Sequence, residues 1–282
     1  MKQKTKLETA KVWRIPEFRG LELLRAKYVA QSFPRHTHQK YAIGVIEDGA
    51  LEFYYRGENV VASQGSINLC IPGEVHTGHS ASEAGWAYRM FYFDPKLLQQ
   101  SASEVADYSR PLPFFQSGVI QDNDLAQSFR QLHIKLERQE TTLLEQESLL
   151  IWTLAQMVLR YADDPPVLHK LGAEHLAVAK IKSYIETNYA ENISIDDLTR
   201  IAHLSRFHLI RVFRDSVGMP PHTYLRQVRV QQAKEMLFLG KPIVDIAAAT
   251  GFADQSHLTR WFKRLWGFTP GQYSNSVQDT QL

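Results

Sequence analysis

The feature that most constrains this chain is an internal duplication near its C-terminus, within Ile195–Tyr273. The first copy reads ISIDDLTRIAHLSRFHLIRVFRDSVGMPPHTY and the second reads PIVDIAAATGFADQSHLTRWFKRLWGFTPGQY, at an offset of about 48 to 49 residues. The matched pairs are Ile195 with Ile243, Leu198 with Ile246, Leu209 with Leu258, Arg211 with Arg260, Phe213 with Phe262, Gly218 with Gly267, Pro221 with Pro270 and Tyr224 with Tyr273. Chance does not keep so many matches in phase, so the chain repeats one structural unit.

Each copy is predicted to be a short helix, a tight turn and a second helix. In the first copy, Ser194 followed by Asp197 is a capping-box pattern, and Ser205 is the next N-cap. The second helices are predicted at Arg206–Val217 and at Gln255–Trp266, and each ends at a glycine. Two helices joined in this way form a helix-turn-helix, whose second helix enters the major groove of DNA.

The outward faces of these second helices carry the residue types that read bases. Arginine can fork to guanine, glutamine to adenine, and an apolar side chain can meet a thymine methyl group. The predicted DNA-binding residues are Phe207, Ile210, Arg211, Arg214, Gln255, Ser256, His257, Arg260 and Lys263. A solvated helix face is the alternative, but the duplication places matched arginines on both helices.

The segment between the copies, His222–Leu239, lacks glycine and proline and is predicted to be one helix. At 1.5 Å per residue it is roughly 27 Å long. Such a helix can hold two recognition helices about one DNA turn apart, near 34 Å, on one face of the duplex.

From about residue 178 to 274 the sequence resembles the DNA-binding domain of the AraC/XylS family of transcription regulators, including the closing motif Gly267-Phe268-Thr269-Pro270 with Tyr273. The resemblance implies base contacts from Phe207, Ile210 and Arg211 in the first copy. The implied contacts of the second copy are Gln255, Ser256, His257 and Arg260. It also implies double-stranded promoter or operator DNA and RNA polymerase as partners, and activation rather than repression.

Charge is distributed unevenly along the chain. The net charge is only +2, but Leu198–Pro270 holds 11 Lys and Arg against 4 Asp and Glu, an excess that suits phosphate contact. The single cysteine, Cys70, excludes an internal disulfide framework and a cysteine-based zinc site. The sequence shows no signal peptide and no apolar run near the length of a membrane span, so we expect a cytoplasmic protein without a membrane partner.

The N-terminal part has a different pattern. From Leu21 to Phe93, short β-rich runs alternate with turn residues, which predicts a small barrel or jelly roll. Its landmarks His36-Thr37-His38, Gly49, Gly65 and Pro72-Gly73-Glu74-Val75-His76 resemble the cupin fold. In AraC-type regulators a domain of this kind senses a small molecule.

The histidines leave three interpretations open. They could line an effector pocket, hydrogen-bond loops at the barrel mouth, or bind a metal as in cupin dioxygenases and isomerases. The acidic ligand that usually follows the His-x-His pair is missing here, because Gln39–Ile43 contains no acidic residue. We therefore predict no metal, no cofactor and no catalytic residues.

The strand Trp86–Phe93 alternates between two faces. The face with Trp86 and Tyr88 is predicted to look into the barrel, where apolar walls and a few converging polar groups form a pocket. The predicted effector-binding residues, for a small polar or anionic metabolite, are Arg35, His36, His38, His76, Trp86 and Tyr88.

Two amphipathic helices are predicted after the barrel, at Asp122–Gln139 and Leu143–Tyr161. In AraC-type regulators such a pair forms the dimer, although both could simply pack on their own barrel.

The predicted organisation is α+β and multidomain, with a cupin-like effector and dimerisation domain at 1–161, a linker at 162–174 and an all-α double helix-turn-helix domain at 175–282. The predicted function is an effector-responsive, homodimeric transcription regulator. A metal-dependent cupin enzyme fused to a DNA-binding module and an effector-independent dimeric DNA binder are the alternatives.

Overall fold

The structure is a computed structural model, which describes residues 8–138, 141–168 and 174–278. These residues form nine β-strands and ten α-helices. The strands are β1 (Thr9–Ile15), β2 (Leu21–Tyr28), β3 (Ser32–His36), β4 (Tyr41–Tyr55), β5 (Glu58–Ser63), β6 (Ile67–Cys70), β7 (His76–Ser80), β8 (Trp86–Phe93) and β9 (Val119–Ile120). The helices are α1 (Pro95–Ala106), α2 (Asn123–Arg138), α3 (Leu143–Tyr161), α4 (His175–Thr187), α5 (Ile195–Ala202), α6 (Arg206–Val217), α7 (Pro221–Phe238), α8 (Ile243–Ala249), α9 (Gln255–Trp266) and α10 (Pro270–Gln278).

The N-terminal strands pair antiparallel throughout, and the long strand β4 joins two layers. Its first half pairs with β6 and β8, and its second half pairs with β5 and β7. The change of layer coincides with a register shift between Ile46 and Asp48 and with Gly49 at φ +69°. A Cβ at Gly49 would lie 2.0 Å from the Gly85 carbonyl oxygen, so only glycine fits this crossing. The predicted antiparallel β domain is confirmed.

The two faces of β8 serve different purposes, as the alternation predicts. Trp86, Tyr88 and Met90 lie in the buried cluster between the two layers. Phe91 lies on the other face, with its ring 5.8 Å from that of Phe129 in α2. One face of strand β8 therefore packs in the interior of the β domain, and its other face packs against α2.

Helices α2 and α3 lie where the sequence predicts them, but their apolar faces do not form a free surface. The apolar residues of α2 are buried, and the Phe91–Phe129 contact shows that this face packs on β8. The apolar residues of α3 are buried as well; they are Leu150, Leu154, Met157 and Val158. These side chains are therefore covered within the chain, and the homodimer stays a prediction.

The chain divides into two compact units, Met1–Glu137 with Ile151–His169, and Arg138–Leu150 with Lys170–Leu282. The start of α3 therefore groups with the C-terminal helices. Of the predicted linker, residues 169–173 lie outside the described residues, and so do residues 1–7 at the N-terminus. Residues 9–11 belong to β1, which pairs with β2. Within the described ranges, no helix is long and apolar enough to cross a membrane.

Candidate nucleic-acid interface and ligand pocket

The first helix-turn-helix is fixed by its caps. The Ser194 side chain accepts a hydrogen bond from the Asp197 amide, and Asp197 accepts one from the Ser194 amide, which is the predicted capping box at the start of α5. The turn then places His203 at φ +55°. Helix α6 begins after Ser205, which accepts from the His208 amide, and ends at Gly218. Local sequence therefore sets both ends of the first recognition helix.

The second copy uses the same devices. Gly251, at φ +73°, opens the turn after α8, and the Asp254 side chain caps α9 by accepting from the His257 amide at 2.7 Å. Helix α9 ends at Gly267, whose amide donates to the Lys263 carbonyl. The predicted bounds of α6 and α9 are confirmed to the residue.

The duplication is visible in the packing of matched aromatic residues. Phe213 packs against Tyr224 with ring centroids 5.7 Å apart, and its counterpart Phe262 packs against Tyr273 at 6.1 Å. Each pair fastens a recognition helix to the helix that follows it, α7 or α10. The repeated Phe and Tyr positions therefore hold the two recognition helices in equivalent ways.

The polar residues predicted to read DNA remain accessible on these helices. In α9, Gln255, Ser256, Arg260 and Lys263 are exposed, and Arg214 is exposed in α6. Arg211 and His257 are half-buried. Their side chains follow one another at helical spacing, so each helix presents one polar edge.

Phe207 and Ile210 do not share this exposure, which corrects the prediction that they face DNA. Phe207 is 3% exposed and Ile210 is 1% exposed, beside the buried core residues of α6. Burial of apolar surface stabilises the folded state by roughly 25 cal/mol per Å², which favours packing of the Phe207 ring in the core over its exposure to water. In this structure neither side chain is exposed for contact with a base.

His257 differs from the exposed polar residues of α9 because its ring is half-buried against an aromatic side chain. Its ring meets that of Phe252 edge-on at 5.3 Å, and its Nδ1 has no hydrogen-bond partner within the described residues. Burial, together with the charges of Arg226 and Arg260, lowers the pKa of His257. A neutral imidazole beside Arg260 can accept or donate a hydrogen bond to a base.

Further cations lie on the same part of the chain. Arg264 lies 4.9 Å from the Trp261 ring, and Lys234 of α7 lies 3.6 Å from the Trp266 ring. Sequence reasoning did not name Lys234 as a contact, although Lys234 belongs to the basic stretch that it identified. Stacking on an aromatic ring holds a cationic group in place for phosphate contact.

The β domain contains a small cleft, of about 80 Å³, that is open to solvent. Its aromatic walls come from Phe33, Phe53, Trp86, Tyr88 and Tyr92. Its polar lining includes His36, His38, Asn68, His76 and Thr77. Five of the six predicted effector-binding residues therefore lie at one cleft.

The three histidines meet inside this cleft. The His76 ring lies 4.2 Å from that of His36 and 4.7 Å from that of His38. Each Nδ1 lies within hydrogen-bond distance of a backbone carbonyl, at 2.8 Å for His36, 2.6 Å for His38 and 2.9 Å for His76. A carbonyl only accepts, so each Nδ1 carries the proton, and Nε2 of a neutral ring is left as an acceptor.

Burial controls the charge of these rings. Burial, together with the neighbouring His38 and His36, lowers the pKa of His76 to about 4, while the hydrogen bond to the Glu74 carbonyl opposes that shift. Burial also lowers the pKa of His38. These two imidazoles are therefore neutral near pH 7 and offer lone pairs rather than positive charge.

Two buried polar atoms of the cleft lack a partner within the described residues, Trp86 Nε1 and Asn68 Oδ1. Buried polar groups are normally hydrogen-bonded, so such atoms mark where a ligand or water would bind. Sequence reasoning missed Asn68 and Phe33. The signal for Asn68 is a lone amide in the otherwise apolar strand β6.

Two family models match the chain. An AraC-like ligand-binding domain matches residues 18–152, and a helix-turn-helix domain matches residues 198–276. An HTH-type transcriptional regulator of Bacillus subtilis, YbfI, is 31% identical over 84% of this chain and 86% of its own length. This chain belongs to the AraC family of transcription regulators.

Other AraC-type relatives are more distant. The lactose operon transcription activator of Staphylococcus xylosus is 23% identical over 83% of this chain and 84% of its own length. A solved structure of a probable AraC family regulator from Rhodopseudomonas palustris is 27% identical, covers 36% of this chain and 97% of its own, and has a TM-score of 0.35. The two family models and the YbfI relative show that the chain has an AraC-type ligand-binding domain and a helix-turn-helix domain, and that it is a DNA-binding transcription regulator.

One predicted residue of this AraC-type ligand-binding domain lies elsewhere than expected. Arg35 does not line the cleft, because its guanidinium lies 4.7 Å from the Tyr54 ring and the residue is exposed. The predicted role of Arg35 in effector binding is therefore corrected. Among the described residues, no group of three or more His, Cys, Asp or Glu side chains is arranged to hold a metal ion.

Proposed function

We propose that this AraC-family regulator changes its affinity for promoter or operator DNA when a small molecule binds in the N-terminal cleft. In this proposal the protein is a cytoplasmic homodimer, it activates transcription through RNA polymerase, and it catalyses no reaction. The proposed effector contacts are His36, His38, His76, Trp86 and Tyr88. The single observation that carries the proposal is the pair of unpartnered buried atoms, on Trp86 and Asn68, at the same cleft as three imidazoles.

The lining favours a neutral ligand that carries hydroxyl or amide donors. His38 and His76 are neutral acceptors, and the lining residues of the cleft include no Lys or Arg. An anionic ligand would leave its charge uncompensated in a largely apolar cleft, which costs several kcal/mol. Aromatic walls provide apolar contact, while Trp86 Nε1 can donate one hydrogen bond.

The proposed base-reading residues are the accessible polar ones. They are Arg211, Arg214, Gln255, Ser256, His257, Arg260 and Lys263. For α9 the support is strongest, because Gln255, Ser256 and Arg260 are exposed at its start and middle. These side chains can make the bidentate contacts that distinguish bases in the major groove.

Selection of genomic DNA fragments by the purified protein, repeated with pools of metabolites, tests this function. We expect a motif of two segments about one helical turn apart, near 34 Å. Arg260→Ala should lose about 1–3 kcal/mol at one base step and relax the preference there. Arg14→Ala removes a charge from an exposed strand residue of the β domain and serves as the matched control.

Other outcomes favour other functions. A motif whose binding no metabolite pool changes would make the protein an effector-independent dimeric DNA binder. Stoichiometric metal in the purified protein, lost in His36→Ala, would favour a metal-dependent cupin enzyme fused to a DNA-binding module. A sedimentation measurement that finds only monomer would overturn the homodimer.

A further inference from the structure

Arg229 is a buried arginine in the middle of α7, and it reads no base. The residue is 4% exposed. Its Nε donates to the Tyr189 carbonyl at 2.7 Å, its Nη2 to the Glu191 carbonyl at 2.8 Å and its Nη1 to the Gly251 carbonyl at 2.6 Å. One guanidinium therefore holds three backbone carbonyls.

These carbonyls belong to segments that adjoin different copies of the duplicated unit. Tyr189 and Glu191 lie between α4 and α5, in the segment that leads into the first helix-turn-helix. Gly251 lies in the turn of the second helix-turn-helix, between α8 and α9. Arg229 thus joins the entry of one copy to the inner turn of the other.

The backbone of the two copies is also in close contact at this point. A Cβ on Gly251 would lie 2.6 Å from the Ala190 carbonyl oxygen and 2.8 Å from Arg229 Nη2. Gly251 also has φ +73°, which a side chain disfavours. The junction therefore excludes any residue larger than glycine and leaves Arg229 as the group that fills it.

The chemistry of arginine suits this junction. The guanidinium is planar and presents its donors in a fixed fork, whereas a lysine ammonium is a single point on a flexible chain. Burial lowers the pKa of Arg229 to about 10, which leaves the group charged near pH 7. A lysine in its place cannot meet three carbonyls with the same geometry.

A fixed junction matters because the two recognition helices must enter successive major-groove segments together. Helix α7 is 18 residues long, which is roughly 27 Å. A change in the angle between the copies displaces α9 relative to α6 along the duplex. We propose that Arg229 is a positioning residue that sets the separation of the two recognition helices, and thereby the spacing of DNA segments that the protein accepts.

The test uses the full chain and the DNA motif selected by the wild-type protein, with one base pair inserted or deleted between its two segments. We expect the wild type to lose about 10-fold to 100-fold in affinity for each change of spacing, the size of a typical mismatch. Arg229→Lys should lose about 10-fold at the selected spacing. When a base pair is inserted or deleted, Arg229→Lys should lose much less of its DNA affinity than the wild type does.

Arg260→Ala is the matched control, because it removes an arginine from the same domain that reads a base and does not touch the junction. Its affinity should fall by the same factor at every spacing. The proposal is overturned if Arg229→Lys behaves like this control, or if it leaves both affinity and spacing preference unchanged.

Folding is checked by circular dichroism and thermal unfolding of each variant. If Arg229→Lys does not fold, Arg229→Gln, which keeps an amide donor at the same junction, is measured against the same DNA series. A spacing preference that is unchanged in Arg229→Gln would then overturn the proposal. A relaxed or shifted preference would support it.

Discussion

The carboxylate of Glu145 accepts a hydrogen bond from the guanidinium of Arg226, and both side chains are largely buried, at 4% and 14% exposed. Arg226 also stacks on the Trp261 ring at 3.7 Å. Two residues on, Glu147 accepts from the Ile195 amide at 2.7 Å, at the start of α5. Two carboxylates from the segment matched as ligand-binding domain therefore contact groups of the kind that bind DNA phosphates.

Glu145→Gln is expected to strengthen DNA binding. The negative charge of Glu145 lies close enough to α9 to raise the pKa of His257. Its removal should lower repulsion of the phosphate backbone by roughly 1 kcal/mol, or about fivefold in Kd. If Arg226 then contacts a phosphate, the slope of log K against log salt should steepen by about 0.9. Fluorescence anisotropy with the selected DNA at several salt concentrations measures both quantities.

Glu83→Gln is the control for this prediction, because it removes the same charge from an exposed loop residue of the β domain. Equal affinity changes in the two variants would contradict a specific role for Glu145. The ion pair would then be a packing feature only.

Phe207→Ala tests the corrected role of Phe207. Truncation of a ring that is 3% exposed should lower the free energy of unfolding by about 3–5 kcal/mol. Urea denaturation measures this change, with Arg214→Ala, an exposed position on the same helix, as the control. A variant of normal stability whose base preference is altered would restore the thymine-contact interpretation that the sequence favoured.

The helix-turn-helix units could be predicted because their signals are local. Ser205 and Gly218 determine α6, and Asp254 and Gly267 determine α9, through hydrogen bonds that span only a few residues. Helix α1 was not predicted, although its signal is also local: the Asp94 side chain caps the helix and Pro95 occupies its first turn.

Features that depend on distant parts of the chain were less predictable. The burial of Phe207 depends on which surface covers α6, and periodicity cannot supply that information. The meeting of His36, His38 and His76 was predicted from a fold resemblance, but the side chain that completes the cleft, Asn68, comes from another strand. Strand β1 was missed because most of its residues are exposed, so it lacks the apolar pattern that marks the other strands, although its backbone pairs with β2.

His133→Phe is expected to reduce the loss of stability in mild acid. His133 is fully buried, and burial together with Arg89 lowers its pKa to about 4, while Glu137 and Glu47 oppose that shift. Since the folded pKa lies below the unfolded value, the unfolded state binds the proton first. The contribution of the neutral His133 side chain to the free energy of unfolding is fully present above about pH 6.5 and is lost as the pH falls toward 4.

For the wild type, this single group should contribute a loss of about 1.4 kcal/mol per pH unit below about pH 6.5. Chemical denaturation at pH 7 and pH 5 measures the difference, which should be smaller by about 2 kcal/mol in His133→Phe. His79→Gln, a partly exposed histidine of β7, is the control and should keep the wild-type pH dependence. An identical pH dependence in all three proteins would contradict the assignment.

Trp86→Phe is expected to weaken effector binding while it preserves the fold. The indole is 1% exposed, and its Nε1 has no partner within the described residues, so the N–H is available only to a molecule in the cleft. Loss of one hydrogen bond should weaken the effector by about 1–1.5 kcal/mol, or roughly tenfold in Kd. Removal of an unpaired buried donor should leave stability within about 1 kcal/mol of the wild type.

Calorimetric titration with the effector identified by DNA selection gives the Kd. Tyr28→Phe is the control, because its ring packs 5.3 Å from Trp86 but does not line the cleft. If Trp86→Phe binds the effector as tightly as Tyr28→Phe does, the ligand does not use the indole N–H and lies elsewhere in the domain.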